Sequence, residues 1–249
     1  MHPPRLFQPA ALASAIVVAL LVGVVLGKDQ NQHPKDPVQP HTPTTGYSVA
    51  AKSQTVYVAM GASDTVGVGS PNPAKDNWTA QLAQRLPRGA RYLNLGVSGI
   101  TLGPALSVEL PQAVRARPTL VTVWLAVNDL NAQVPPGDYN RELDTLLAAL
   151  RKTGARVFVG NVPDLRLVPA YASAGVTPAQ TDAAVRAYNA VIAAQAARHG
   201  ATVVDLYANS RAIIHSAQYI SGDGFHPNRQ GYALLADLFY RVMNQHGAL

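Results

Sequence analysis

The 249-residue chain contains no cysteine. That excludes a disulfide framework, a thiolate metal site, a thiol nucleophile and a lipid-modified cysteine anchor. Charge is also sparse, at 14% of residues against 48% hydrophobic, and mean hydropathy is +0.05. Such a chain can bury a sizeable core and is not disordered as a whole, with one packed domain as the default. Clustered charge is missing as well. Twenty Lys and Arg against 14 Asp and Glu give a net charge of +6, yet the basic residues stand singly, so no nucleic-acid partner is expected. Gly67-Val68-Gly69 lacks the third glycine of a dinucleotide loop, and no Gly-x-x-x-x-Gly-Lys-Ser/Thr phosphate loop occurs. The Gly-x-Ser-x-Gly elbow is absent too, because Thr65 stands where its second glycine belongs.

What the chain does have begins with Ala10–Gly27, 18 residues without a charge, long enough as a helix to span about 27 Å of bilayer. Residues 1–27 are therefore read as a signal anchor or a signal peptide. No Ala-x-Ala follows the apolar run, which favours the uncleaved anchor. Arg5 precedes the span, while Lys28 and Lys35 beyond it are offset by Asp29 and Asp36, so the expected orientation keeps the amino terminus cytoplasmic and the rest extracytoplasmic. If the segment is cleaved, the remainder is secreted. Residues 28–53 carry Pro34, Pro37, Pro40 and Pro43 among polar residues and read as an extended, flexible tether.

From residue 54 to 249 the texture changes. Thr55–Met60, Arg91–Leu95, Leu120–Leu125, Arg156–Val159 and Thr202–Leu206 are short apolar runs with little polar alternation, expected as strands buried on both faces. Amphipathic stretches lie between and after them: Trp78–Leu86, Gly103–Val114 interrupted by Pro111, Tyr139–Lys152, Pro178–Arg198 and Asn228–Asn244. Thr177-Pro178 supplies a cap and a first-turn proline to the longest helix, and His199-Gly200 closes it. This alternation predicts an α/β domain with a five-stranded parallel sheet covered on both sides, whose active crevice lies beyond the carboxyl ends of the strands.

The segments following those ends contain the parts for acyl transfer. Ser63 follows the first strand after Gly61, Gly99 follows the second, Asn128 follows the third, and Asp223 and His226 share a turn near the carboxyl terminus. A serine hydroxyl can attack, an imidazole can take its proton, and a carboxylate three residues earlier can fix the tautomer. The Ser63 and Gly99 N–H groups and the Asn128 amide can donate to an oxyanion. Each has an ordinary reading by itself: a capping serine, a solvated Asp beside a surface His, a turn Asn-Asp, a glycine serving a positive φ. The combination favours chemistry. No metal is expected, because the histidines at 2, 33, 41, 199, 215 and 246 show no ligand spacing with His226.

In these four ordered blocks the chain resembles the SGNH (GDSL-type) hydrolases, named for a Ser, a Gly, an Asn and a His, and the resemblance runs over about residues 54–245. It implies a three-layer α/β/α, flavodoxin-like domain acting as a serine ester hydrolase, acyl-esterase or lysophospholipase-like, through an acyl-serine intermediate without any cofactor. Ser63 is then the nucleophile, Asp223 and His226 complete the triad in an intact Asp-x-x-His-Pro block, and Ser63, Gly99 and Asn128 form the oxyanion hole. Two blocks depart from the pattern. Gly-Asp-Ser reads Gly61-Ala62-Ser63, and Gly-x-Asn-Asp reads Ala126-Val127-Asn128-Asp129, the latter change narrowing the acyl pocket. The resemblance covers lysophospholipids, acyl thioesters, small acyl esters and O-acetylated sugars. An O-acetylesterase or acyltransferase acting on cell-surface carbohydrate, and a surface binding module without turnover, remain open alternatives. So do two readings of Asp164–Val176, as an apolar lip for an acyl chain or as a loop packed on the sheet. Oligomeric state has no signal.

Overall fold

Five short apolar runs form five strands in a computed structural model that describes residues 54–173, 177–214 and 217–249. The expected membrane segment at 10–27 and the tether at 28–53 lie outside the described residues. In chain order the first half runs β1 (Val56–Gly61), α1 (Ser63–Val66), α2 (Pro73–Asp76), α3 (Trp78–Ala83), β2 (Arg91–Asn94), α4 (Leu102–Val108), α5 (Leu110–Arg115) and β3 (Leu120–Trp124). The second half runs α6 (Val127–Asn131), α7 (Pro136–Arg151), β4 (Arg156–Gly160), α8 (Pro169–Ser173), α9 (Pro178–His199), β5 (Thr202–Val204), α10 (Leu206–Ile214) and α11 (Arg229–Gln245).

All strand pairs are parallel, in the order β2-β1-β3-β4-β5. Because the chain leaves β1 toward β2 and later returns to β1's other side, the order reverses between β1 and β3. In doubly wound sheets the crevice outside the strand ends at such a reversal is where ligands bind. The register sets Gly61 opposite Trp124, so both chains leave the sheet at the same level. The expected burial on both faces holds for β1, β3 and most of β4. It fails for β2, which alternates exposed and half-buried residues, and for Thr202 and Val203 of β5. These are the edge strands, with a neighbour on one side only, so water reaches what the interior strands hide.

Helices cover both faces. On one, α3 and α10 pack against α11, and Trp78, wholly buried, stacks 4.2 Å from the Phe239 ring and 6.2 Å from that of Trp124. On the other, α7 packs against α4, α5 and α9, with Tyr139 and Tyr188 rings 4.7 Å apart. Thr177 and Gln180 form the capping box of α9, and Gly200 ends that helix in the left-handed conformation at φ 69°. The interruption expected within Gly103–Val114 is present, the stretch being divided into α4 and α5. Pro111 has no N–H and crowds the carbonyl four residues earlier, which leaves Glu109 at the junction. Among the described residues no helix is long and apolar enough to cross a membrane.

Candidate active site

β1 ends on Gly61, where a Cβ would come within 2.1 Å of Thr65 Oγ1 and 3.1 Å of the Trp124 carbonyl oxygen. Only glycine permits the tight turn into α1. The Thr65 and Val66 N–H groups both donate to the Ala62 carbonyl, at 3.0 and 3.1 Å, and this single helical turn presents Ser63 at its first position. Among the described residues the Ser63 N–H donates to no protein acceptor, as expected for the first N–H of a helix.

Ser63 Oγ lies 2.9 Å from His226 Nε2, and His226 Nδ1 lies 2.6 Å from Asp223 Oδ2. The other Asp223 oxygen, Oδ1, accepts from the Ser221 hydroxyl at 2.7 Å and from the Phe225 and His226 N–H groups at 2.8 and 2.9 Å. Burial pushes the Asp223 carboxyl up, but these donors together outweigh it and hold the group well below the ordinary carboxylate range. The turn itself is anchored. Ser221 N–H donates to the His226 carbonyl, Asn228 N–H donates to the Tyr219 carbonyl, and the Asn228 side chain caps α11 by accepting from Gln230 and Gly231 N–H. The Phe225 ring stands edge-on to the imidazole, centroids 4.8 Å apart.

Asn128, at the start of α6, donates from Nδ2 to the Ile100 carbonyl at 2.9 Å, which leaves its second amide hydrogen free to point elsewhere. The neighbouring Asp129 accepts the Leu102 N–H at 2.9 Å through Oδ1. Burial, opposed by that N–H, pushes its carboxyl up to about 6. The pair therefore holds the loop carrying Gly99, whose φ of 78° requires glycine and whose N–H is also free of protein acceptors among the described residues. Ser63, Asn128, Ile100, Trp124, Val127 and Phe225 border one small concavity. Gly99 is not on its wall; it adjoins Ile100, which is.

Of the five residues expected to act together, Ser63, His226 and Asp223 form one hydrogen-bonded chain and Asn128 borders the same concavity as Ser63. Gly99 stands one residue away from its wall. The Asp164–Val176 segment divides. Leu165 and Val168 are buried in the core, which gives them the packed-loop reading rather than that of a lip. Residues 174–176 lie outside the described residues. Tyr171 donates to Asn131 Oδ1 at 2.6 Å and lies 6.1 Å from the Phe225 ring, and the Ala170 N–H donates to the Gly224 carbonyl at 3.0 Å, so this part of the segment approaches the site.

Three polar contributors escape sequence reasoning. Ser221 steadies Asp223, and its only signal is the Ser-x-Asp spacing inside the last block. Asp64 follows the nucleophile, and burial pushes its carboxyl up to about 6, against the pull of nearby His226. Glu109 is wholly buried with Oε2 accepting the Gly61 N–H at 3.0 Å.

By sequence, no curated protein matches the chain. Among solved structures it is similar to TesA, at 22% identity and TM-score 0.64 over 77% of this chain and 99% of that one. It is similar to LAE5, an alpha/beta hydrolase enzyme from the metagenome of Lake Arreo in Spain, at 23% identity and TM-score 0.62, covering 78% and 96%. It is also similar to the psychrotrophic esterase EstA from Pseudoalteromonas sp., solved inhibited by monoethylphosphonate, at 16% identity and TM-score 0.63, covering 77% and 98%. These likenesses carry the fold. The GDSL-like lipase/acylhydrolase pattern matches residues 59–234, well over half of the sequence. With Ser63, Asp223 and His226 all inside that stretch, the chain belongs to the GDSL-like lipase/acylhydrolase family and is a carboxylic ester hydrolase.

Proposed function

We propose that the chain cleaves esters of short acyl groups through an acyl-enzyme on Ser63. The observation that carries this reading is the continuous chain Ser63 Oγ to His226 Nε2 at 2.9 Å and His226 Nδ1 to Asp223 Oδ2 at 2.6 Å. Asp223 accepts a hydrogen bond from Nδ1–H, which leaves Nε2 as the acceptor facing the serine. Ser63 Oγ bonds to the ester carbonyl carbon as its proton passes to Nε2. The carbonyl π pair moves onto oxygen, and the Ser63 and Gly99 N–H groups and the second Asn128 amide hydrogen are its proposed donors. Collapse of this intermediate breaks the bond to the alcohol, which departs with the proton from Nε2. Water then repeats the sequence at the acyl-serine and releases the acid.

The preference for short acyl groups rests on the concavity beside Ser63. That concavity is small, and Trp124, Val127, Ile100 and Phe225 supply apolar surface beside its polar groups. Ala126 places a methyl group where the family pattern has glycine, narrowing it further. The uncharged run at residues 10–27 supports a working place at a membrane, with the domain on its extracytoplasmic side.

The test is hydrolysis of p-nitrophenyl esters from acetate to palmitate by the full chain beside Ser63→Ala. The expected result is the highest kcat/KM on acetate to butyrate and no turnover above background in the variant. An optimum at decanoate or longer would overturn the short-acyl reading, and an active Ser63→Ala would overturn the mechanism.

A further inference from the structure

Resting on that reading of the site, we infer that Glu109 is a positioning residue that locks the nucleophile turn to the oxyanion loop. Glu109 lies 48 residues from Gly61 in sequence and is wholly buried at the α4–α5 junction. Its Oε2 accepts the Gly61 N–H at 3.0 Å, two residues before Ser63. The Val97 N–H, two residues before Gly99, lies near enough to the same carboxyl to oppose the effect of burial on it. Val97 N–H in turn reaches the Gly61 carbonyl at 3.0 Å. Glu109 thus sits where the two backbone segments from which Ser63 and the Gly99 donor project run side by side, just past the end of the β1–β2 pairing, where the Leu95 N–H donates to the Ala59 carbonyl at 2.9 Å.

A carboxyl in that place is costly in any role other than accepting those N–H groups. Among the described residues no charged partner accompanies it and its Oε1 has no hydrogen-bond partner, and burial pushes the group up to about 8. It is therefore protonated and neutral at pH 7, so glutamine reproduces both its shape and its acceptor. The backbone at Glu109 is helical, its N–H donating to the Ala105 carbonyl and its carbonyl accepting the Ala113 N–H, both at 2.9 Å, which fixes the position from which the side chain reaches Gly61.

Loss of the acceptor frees the Ser63 turn to shift relative to the oxyanion donors while leaving the walls of the concavity in place. Misplacement of a reacting group by about 1 Å costs about 10²-fold in rate. The experiment compares Glu109→Gln, Glu109→Asp and Glu109→Leu with the wild type and Ser63→Ala on p-nitrophenyl acetate. Rates are taken per active site titrated with a fluorophosphonate, or per mole of protein for Ser63→Ala, well below each variant's Tm. The expected result is kcat within threefold of wild type for Glu109→Gln. For Glu109→Asp and Glu109→Leu, kcat falls tenfold to 10²-fold with KM within threefold, and phosphonylation of Ser63 slows in parallel. Should Glu109→Leu fail to fold, Glu109→Asp decides alone, since its shortened side chain withdraws the acceptor and keeps the carboxyl. Wild-type kcat per titrated site in Glu109→Asp, whatever its Tm, would overturn the inference and leave Glu109 a purely structural acceptor. Turnover retained in Ser63→Ala would instead overturn the reading of the site on which the inference rests.

Discussion

Asp223→Asn probes the triad where its geometry is most constrained. Asp223 Oδ1 is held by three donors, the Ser221 hydroxyl and the Phe225 and His226 N–H groups. In the variant the amide oxygen must take that place, because an NH2 group there would face three donors. The NH2 then occupies the position of Oδ2, 2.6 Å from His226 Nδ1, and only an unprotonated Nδ1 can accept from it. The ring proton moves to Nε2, the nitrogen 2.9 Å from Ser63 Oγ, so the base is no longer able to take the serine proton. Where this tautomer trap has been set in a serine triad, kcat falls about 10⁴-fold, roughly 5.5 kcal/mol of barrier. The assay is kcat/KM on p-nitrophenyl acetate, with folding checked by circular dichroism. The turn should persist, because the oxygen keeps its three donors. A variant within tenfold of wild type would refute the reasoning and mean that Asp223 does not set the tautomer of His226.

Other consequences follow from burial. Glu109, pushed by burial from 4.5 up to about 8, keeps a proton in the folded chain that the unfolded chain releases. Its contribution to stability is complete below pH 4.5 and is lost as pH rises through about 8, an interval worth up to roughly 5 kcal/mol. Thermal melts from pH 4.5 to 8.5 should show Tm falling more steeply for wild type than for Glu109→Gln; parallel curves would count against a buried, protonated carboxyl. Trp78→Ala removes a wholly buried ring packed on Trp124 and Phe239 and should cost about 3–5 kcal/mol in urea unfolding. A loss under 1 kcal/mol would contradict the packing between α3 and α11. Asn128→Ala removes one oxyanion donor and the tether to the Ile100 carbonyl, so kcat should drop about 10²–10³-fold with little change in KM. A change confined to KM would place Asn128 in substrate binding alone.

Much of the fold was legible because its signals are local. The apolar runs at 56–61, 120–124 and 156–160 needed no neighbour to be identified as strands, and Thr177-Pro178 with Gly200 bounded α9 by capping chemistry. Burial of β2 was not legible, since the exposure of Leu93 depends on that strand lying at an edge, which the sheet order decides. Ser63, Asp223 and His226 could be proposed from sequence because each sits just beyond a strand or in a recognisable turn. Glu109 could not. It reads as an ordinary helix glutamate until the fold packs the α4–α5 junction against the end of β1 and brings the Gly61 N–H to it. Ser221 and the Asn128 contact with Ile100 belong to the same class, as hydrogen bonds between backbone and side chains that only the folded loops define.

The most direct test of the central claim is the intact mass of the full chain, with peptide mapping, after treatment with a fluorophosphonate that mimics the tetrahedral intermediate. A single adduct on Ser63, abolished in Ser63→Ala and slowed by orders of magnitude in His226→Ala, is the predicted result. No adduct, or an adduct on another residue that leaves ester hydrolysis blocked, would show that Ser63 is not the nucleophile.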